Sequence, residues 1–236
     1  MFRIKLLAAI LLLPFLLIAQ SSIRDSSISM VMVSPGFGYQ FPGGDLAKRF
    51  GSNYVVSMDV TYKHRKKWML GVEGGYFFSD KVKEPTLFSH LINDQGQIVG
   101  DDGHYADIRI NERGYYLTLS LGRFFNFKKP NPNCGFFVNA GGGFMEHKIR
   151  IEDHNKTVPG LEGDYKKGYD RLTNGFCLRE SVGYLYISNH RLVNFHLSLD
   201  AIQGFTKSRR DFNFDDMNTE TKQRLDLLYG ARIGWV

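Results

Sequence analysis

Leu225-Asp226-Leu227-Leu228-Tyr229-Gly230-Ala231-Arg232-Ile233-Gly234-Trp235 is the stretch on which the fold turns. Read with a period of two, Leu225, Leu227, Tyr229, Ala231, Ile233 and Trp235 share one face, opposed by Asp226, Gly230 and Arg232. Successive side chains of a strand point to opposite sides, so the segment predicts a strand with one oily face and one small or polar face. The same split recurs upstream. Tyr54 to Tyr62 sets Val56, Met58 and Val60 against Ser57, Asp59 and Thr61; Trp68 to Phe78 sets Leu70, Val72 and Tyr76 against Gly71, Glu73 and Gly75. It returns at Tyr115 to Gly122, Phe136 to Gly143 and Val193 to Asp200. A soluble sandwich also alternates, but it covers its outer face with Lys, Glu and Thr, whereas here the polar face is rich in Gly and Ser. Small residues on that face suit the inside of a narrow barrel, where eight strands leave just enough room for side chains. The expected fold is all-β, an eight-stranded antiparallel up-and-down transmembrane barrel with a filled interior.

The N-terminus reads as a signal peptide over residues 1–19. Arg3 and Lys5 give a positive start, Leu6 to Ile18 an apolar run broken by Pro14, and Ala19 the small residue before the cut. That run is shorter than the roughly 20 residues of a spanning helix, so a retained anchor is not expected. Lipid attachment needs a cysteine at the cut, and the two cysteines are Cys134 and Cys177. Residues 20–27 then form a short periplasmic segment and residues 28–236 the barrel. No later stretch approaches the length of a spanning helix, so a chain exported into a membrane must enter it as a closed barrel. The 14% aromatic content and 25 glycines fit β structure at an interface.

Connection lengths orient the barrel. His64 to Lys67, Asn126 to Asn133 and Ser188 to Arg191 are short; Phe41 to Ser52, Asp80 to Asn111, Glu152 to Asn174 and Thr206 to Thr221 are long. Short periplasmic turns and longer external loops put both termini in the periplasm. Aromatics near strand ends, such as Tyr54, Trp68, Phe78, Tyr184 and Trp235, predict two interfacial girdles. Asp45 is placed to cap a helical turn over Asp45 to Phe50. In the first strand, Ile28 to Gln40, Pro35 removes a ladder hydrogen bond. In the sixth, Phe176 to Ile187, Glu180 has the parity of Leu178 and Val182, so a bulge near Arg179-Glu180 is expected to turn both charges inward.

With these residues in hand, the chain resembles the small outer-membrane β-barrel proteins of Bacteroidota, of the OmpA/OmpX architecture. The resemblance is one of pattern over the whole mature chain. Its most specific element is the C-terminus, where Tyr229, Gly230, Ile233 and Trp235 are similar to the assembly signal that the barrel-assembly machinery reads in family members; here Val236 follows the aromatic. The likeness implies outer-membrane location and fold, with no activity attached.

The inward face supplies Asp59, Glu73, Asn139, Arg179, His196, Asp200, Asp226 and Arg232. Buried charges are tolerable when paired, so these residues are expected to plug the lumen as a polar network and not to line a channel. His196-Leu197-Ser198 is the one catalytic-looking spacing, with Asp200 on the same face as an orienting carboxylate. It is similar to the His-x-Ser pair of outer-membrane lipid A deacylases, but those enzymes show the pair to the bilayer, and Phe195, Leu197 and Leu199 take that face here. A satisfied interior histidine is the expected role.

The other histidines lack metal-ligand spacing, and Asp94, Asp101, Asp102 and Asp107 lack the ligand series of a calcium loop. Neither metal nor cofactor is expected. Gly141-Gly142-Gly143 has neither the lysine nor the helix of a phosphate loop and reads as close strand packing. Net charge is +6, or +4 without Arg3 and Lys5 (28 basic against 24 acidic), which points to anionic lipid and not to nucleic acid. Lys166, Lys167 and Arg171 with Lys207, Arg209 and Arg210 fall near external loops, where lipopolysaccharide phosphates would lie; His64-Arg65-Lys66-Lys67 falls at a periplasmic turn. Cys134 and Cys177 fall at opposite strand ends, beyond bridging reach, and are expected to stay free. The expected function is that of a non-enzymatic outer-membrane protein acting through its external loops or as an accessory subunit of an envelope complex. A lipid A or phospholipid acyl hydrolase and a small passive channel are the alternatives.

Overall fold

The computed structural model describes residues 26–127, 130–190 and 192–236, and the expected signal peptide lies outside them. Eight strands follow in order: β1 Met30–Gly44, β2 Asn53–Lys63, β3 Trp68–Ser79, β4 Ile108–Asn126, β5 Gly135–Asp153, β6 Thr173–Ile187, β7 Asn194–Ser208 and β8 Gln223–Trp235. One short helix, α1 (Leu46–Arg49), follows β1. Each strand pairs antiparallel with its sequence neighbour, and β1 closes the ring on β8. The eight-stranded all-β barrel expected from the alternation is the fold. Successive pairs lead from Gly36 through Ser57, Gly75, Tyr116, Met145, Gly175 and Thr206 to Arg224, whereas Gly36 pairs directly with Gly234, ten residues away (224 against 234). That stagger tilts the strands and, with eight of them, leaves a bore that side chains fill.

Burial alternates along every strand. In β4, Leu117, Leu119 and Leu121 are 56–58% exposed, while Thr118 and Ser120 between them are 2% and 7% exposed. The oily face therefore points out and the small or polar face in, the reverse of a water-soluble barrel.

Strand bounds and one local feature differ from the sequence expectation. β1 runs past Gln40 because Phe41 to Gly44 pair with Tyr229 to Asp226; Pro35 lies within β1 opposite Met58, one residue before the pairing with β8 begins at Gly36, where that edge is free and a missing N–H is tolerated. β4 and β5 pair as far as Ile108↔Asp153, which trims the long loops to residues 80–107 and 154–172. No bulge interrupts β6: its register runs unbroken through Ala140↔Glu180 and Glu180↔Ala201. Parity alone carries Arg179 inward, and Glu180 stays on the outer face, correcting the expectation that both turn in.

The interior is layered along the axis. At the turn end, Met32, Met69, Phe124, Phe137, Leu185 and Ile187 form one apolar cluster. Charged side chains fill the middle. Above them Val55, Phe77, Met145, Ile202 and Leu228 merge with loop residues into a second apolar cluster.

Candidate functional site

Mid-barrel, strands β3, β6, β7 and β8 each contribute one charge to a closed ring. Arg179 pairs with Glu73 (2.9 Å) and Asp200; Arg232 pairs with Asp200 (3.3 Å) and Glu73. Carboxylates and guanidiniums alternate, so each charge faces two of opposite sign. Tyr116 donates to Glu73 at 2.8 Å, Ser198 to Asp200 at 3.0 Å, and Arg232 to Ser57 at 3.1 Å. Isolated charges here would pay the full desolvation penalty, and mutual pairing with added hydrogen bonds is what offsets it. Of the predicted lumen residues, Glu73, Arg179, Asp200 and Arg232 come together in this way. Asp59, Asn139 and His196 line a cavity of about 30 Å³ beside the ring, and Asp59 accepts from Thr61 at 2.8 Å.

The catalytic-looking spacing does not assemble. His196 Nε2 meets Ser34 Oγ at 3.0 Å from across the β1–β8 seam, while Ser198 gives its proton to Asp200, whose other oxygen serves the two arginines. Ser198 thus has an anchored acceptor and no histidine base. Both side chains are at least nine-tenths buried and face the lumen, away from any acyl chain outside.

Asp226, predicted with the lumen group, sits higher and belongs to a second network. It accepts from His147 (2.9 Å), Thr206 (2.5 Å) and Arg224 (3.3 Å). Arg224 continues to Glu220 (2.9 Å), and Glu220 to Arg49 (3.2 Å). Arg49, at the end of α1, is where all four loops meet. It pairs with Glu84 of the second loop at 2.9 Å, donates to the Arg171 carbonyl of the third at 3.5 Å, and reaches Glu220 of the fourth. Arg171 clasps Asp215, Arg210 clasps Asp170, and across the loops the Tyr169 ring packs at a tilt on Phe88 and edge-on to Phe214, with centroids 5.5–5.7 Å apart. Beneath them Leu46, Phe50, Leu87 and Leu161 are sealed from solvent. The loops form one folded cap over the mouth. Asp45 does not cap α1; its carboxylate takes Lys48 and the Leu225 amide instead.

The cap is expected to respond to acid. Burial pushes Glu220 upward, but the charges of Arg49 and Arg224 and their hydrogen bonds outweigh it and hold the carboxyl below its usual value. A folded-state value below the unfolded one means that this contribution is complete above the ordinary carboxylate range and is lost as pH falls through the lowered value. Peptic cleavage at exposed Tyr165 or Phe212, normalised to an unfolded control, should therefore accelerate on acidification in that window, with chymotrypsin as the probe at neutral pH. Arg49→Leu should give the same loosening at neutral pH. Its partners Glu84 and Glu220 are about one-fifth exposed, so about 2 kcal/mol is expected instead of the ~3–5 of a fully buried pair, a roughly 30-fold rise in opening. Unchanged cleavage in Arg49→Leu would show that the cap does not hang on this residue.

The turn end is closed as well. Lys63 donates to Asn133 Oδ1 and the Ile28 carbonyl, both at 3.0 Å, and lies over the Phe124 ring. Cys134 is buried in that cluster and Cys177 in the loop-side one, both as free thiols. Sequence reasoning missed Arg49, Lys63, His147, Arg224 and Glu112, a buried carboxylate that accepts from the Asn53 amide at 3.1 Å. For Glu112 and His147 the signal was present, since both keep the inward parity of β4 and β5 beyond the apolar stretch. The expected external basic clusters are partly spent within the molecule: Arg171 and Arg210 hold loop carboxylates, and Lys167 pairs with Asp164. Among the described residues, no group of His, Cys, Asp and Glu has a metal-binding arrangement.

No family model matches the sequence, and no curated protein resembles it at a significant level. Among solved structures, the chain is similar to Ail, the attachment invasion locus protein of Yersinia pestis (9% identity, TM-score 0.46, 89% of this chain and 98% of that one). It is also similar to neisserial surface protein A, NspA (9%, 0.44, 88% and 97%), and to the outer membrane protein OprG of Pseudomonas aeruginosa (15%, 0.44, 91% and 98%). Strand number, order and closure follow from the chain's own pairing.

Proposed function

We propose that the protein is a non-enzymatic integral outer-membrane barrel with a sealed lumen and both termini periplasmic, acting through its folded loop cap or as an accessory subunit of an envelope complex. One observation carries the reading, the inverted amphipathicity. Val60, Val72, Leu119, Leu199 and Ile233 are 44–62% exposed around a lumen whose ring charges are 2–9% exposed. Aromatic side chains bound this belt, Tyr54, Phe78 and Tyr115 toward the loops and Trp68, Phe136, Tyr184 and Trp235 toward the turns. Hydrocarbon is the solvent that suits such a surface, and aromatic girdles mark its two interfaces. In water the belt would far exceed the few hundred Å² of contiguous apolar patch usual for a monomer.

Lipopolysaccharide is the proposed lipid partner. Arg113 and Lys148 stand directly opposite one another on the outer face above Tyr115, a like-charge pair that an anion between them would relieve. The Bacteroidota affinity rests on the C-terminal sequence pattern. The test is solubility: made without its first 19 residues, the protein should aggregate in buffer and fold only with detergent or lipid. A monomeric, folded protein in plain buffer overturns the reading. Purified barrel in planar bilayers should show no steady conductance, because ring, cap and turn-end cluster all stand in the lumen; open-channel currents would restore the passive-channel alternative.

A further inference from the structure

Glu180 is the one charged side chain, among the described residues, on the outer face between the two aromatic levels. On its own strand the outward series reads Phe176, Leu178, Glu180, Val182, Tyr184, which puts the carboxyl four residues from each girdle. At about 3.3 Å per residue that is about 13 Å along the strand in either direction, too far for a glutamate to reach water. It has no hydrogen bond or ion pair with any described residue. Its cross-strand neighbours are Ala140 and Ala201, and with Ala231 they floor a depression of about 750 Å³ rimmed by Phe41 and Tyr229. The far wall, β2 on the opposite side of the ring, carries Val56, Met58 and Val60 at mid-strand. A lipid chain can fill such a hollow, but it offers nothing to a carboxyl group.

Polar groups within the membrane mark sites that something else completes, and small side chains let another backbone come close. We propose that this depression is the docking site for a membrane-embedded segment of another envelope protein, one that presents a lysine or arginine at mid-depth against Glu180. The proposal rests on the outer-membrane reading and assigns the wall contact of the accessory-subunit role. Charge complementarity selects the occupant. A second copy of this chain brings an identical carboxyl, and its outer face offers no basic residue at that depth.

The test is a photo-crosslinking residue in place of Ala201 in the full chain, in cells, with the same residue in place of Met58 on β2 as the far-wall control. Fractionation and heat-modifiable migration come first. If the protein is not inserted, the membrane reading falls and this proposal with it; if it is inserted, the crosslink judges the docking site alone. The expected result is an adduct from position 201, not from 58, to an apolar peptide of another protein containing Lys or Arg. Glu180→Leu should leave insertion intact and cut the adduct by at least about tenfold, as loss of a charge-paired contact does. An adduct to a second copy, to lipid alone, to a segment without a basic residue, or one indifferent to Glu180→Leu overturns the proposal, as does no adduct.

Discussion

Arg232→Met should lower the unfolding free energy of the barrel in detergent by about 3–5 kcal/mol, the cost of stripping one partner from buried charges. Methionine fills much of the arginine stem's volume, so the effect isolates the charge. Without Arg232, Arg179 is left to hold Glu73 and Asp200 together, and two carboxylates share one cation in a bore with almost no room for water. Adding Glu73→Gln removes the surplus negative charge and keeps an acceptor for the Tyr116 hydroxyl, which now donates to Glu73 at 2.8 Å. The double variant should therefore recover more than half of the loss, and the non-additivity measures the coupling within the ring. Urea titrations followed by the folded-to-unfolded gel shift provide both numbers. A single variant within about 1 kcal/mol of the parent, the scale of a surface pair, would mean that the ring is not shielded from water.

That ring shows what a period of two can and cannot convey. Alternation told which face each residue takes, and Glu73, Arg179, Asp200 and Arg232 all lie where parity puts them. Which of them meet depends on the ten-residue stagger between β1 and β8, a property of the closed ring that no single strand expresses. Hence Asp226, of the same parity as Arg232, falls in a different layer and pairs with His147. Strand ends were misjudged for a related reason. Above the apolar belt the outward positions of β4 and β5 are Arg109, Asn111, Arg113, Lys148 and Arg150, while Ile108, Ile110, Ile149 and Ile151 turn inward with Glu112 and His147. A reading keyed to an oily outer face stops where the sense of the alternation reverses, although the pairing continues. Arg49 had no periodic signal at all, because its role is fixed by loops converging from distant parts of the chain.

Glu180 is the opposite case, where parity was right and chemistry argued against it. The expected bulge rested on the cost of a charge facing hydrocarbon, a cost on the lipid face of a barrel that is greatest at mid-depth. The strand accepts that charge without distortion. A local rule broken with no compensation inside the molecule points outside it, which is how functional surfaces depart from sequence logic.

Gly143→Ala is expected to abolish folding, with no heat-modifiable species recovered, whereas Gly74→Ala should fold and be unchanged or stabilised by about 0.4–1 kcal/mol. Both glycines lie within strands, and the difference is steric. A Cβ on Gly143 would stand 1.9 Å from the Leu117 carbonyl oxygen and 2.7 Å from the Thr118 Cα, both backbone atoms of β4. Neither can withdraw without opening the pairing of β4 with β5, which spans both strands from end to end. Gly141 is in the same position, 2.1 Å from the Leu119 carbonyl. A Cβ on Gly74, by contrast, faces outward and meets nothing nearer than Leu117 Cδ1 at 3.9 Å. The glycine-rich inner face, which in the sequence suggests room for a crowded lumen, is at these two sites a condition for β4 and β5 to touch. If Gly143→Ala folds with the parent's stability, β4 and β5 do not pair with Thr118 opposite Gly143, and the ring built on that register loses its geometry.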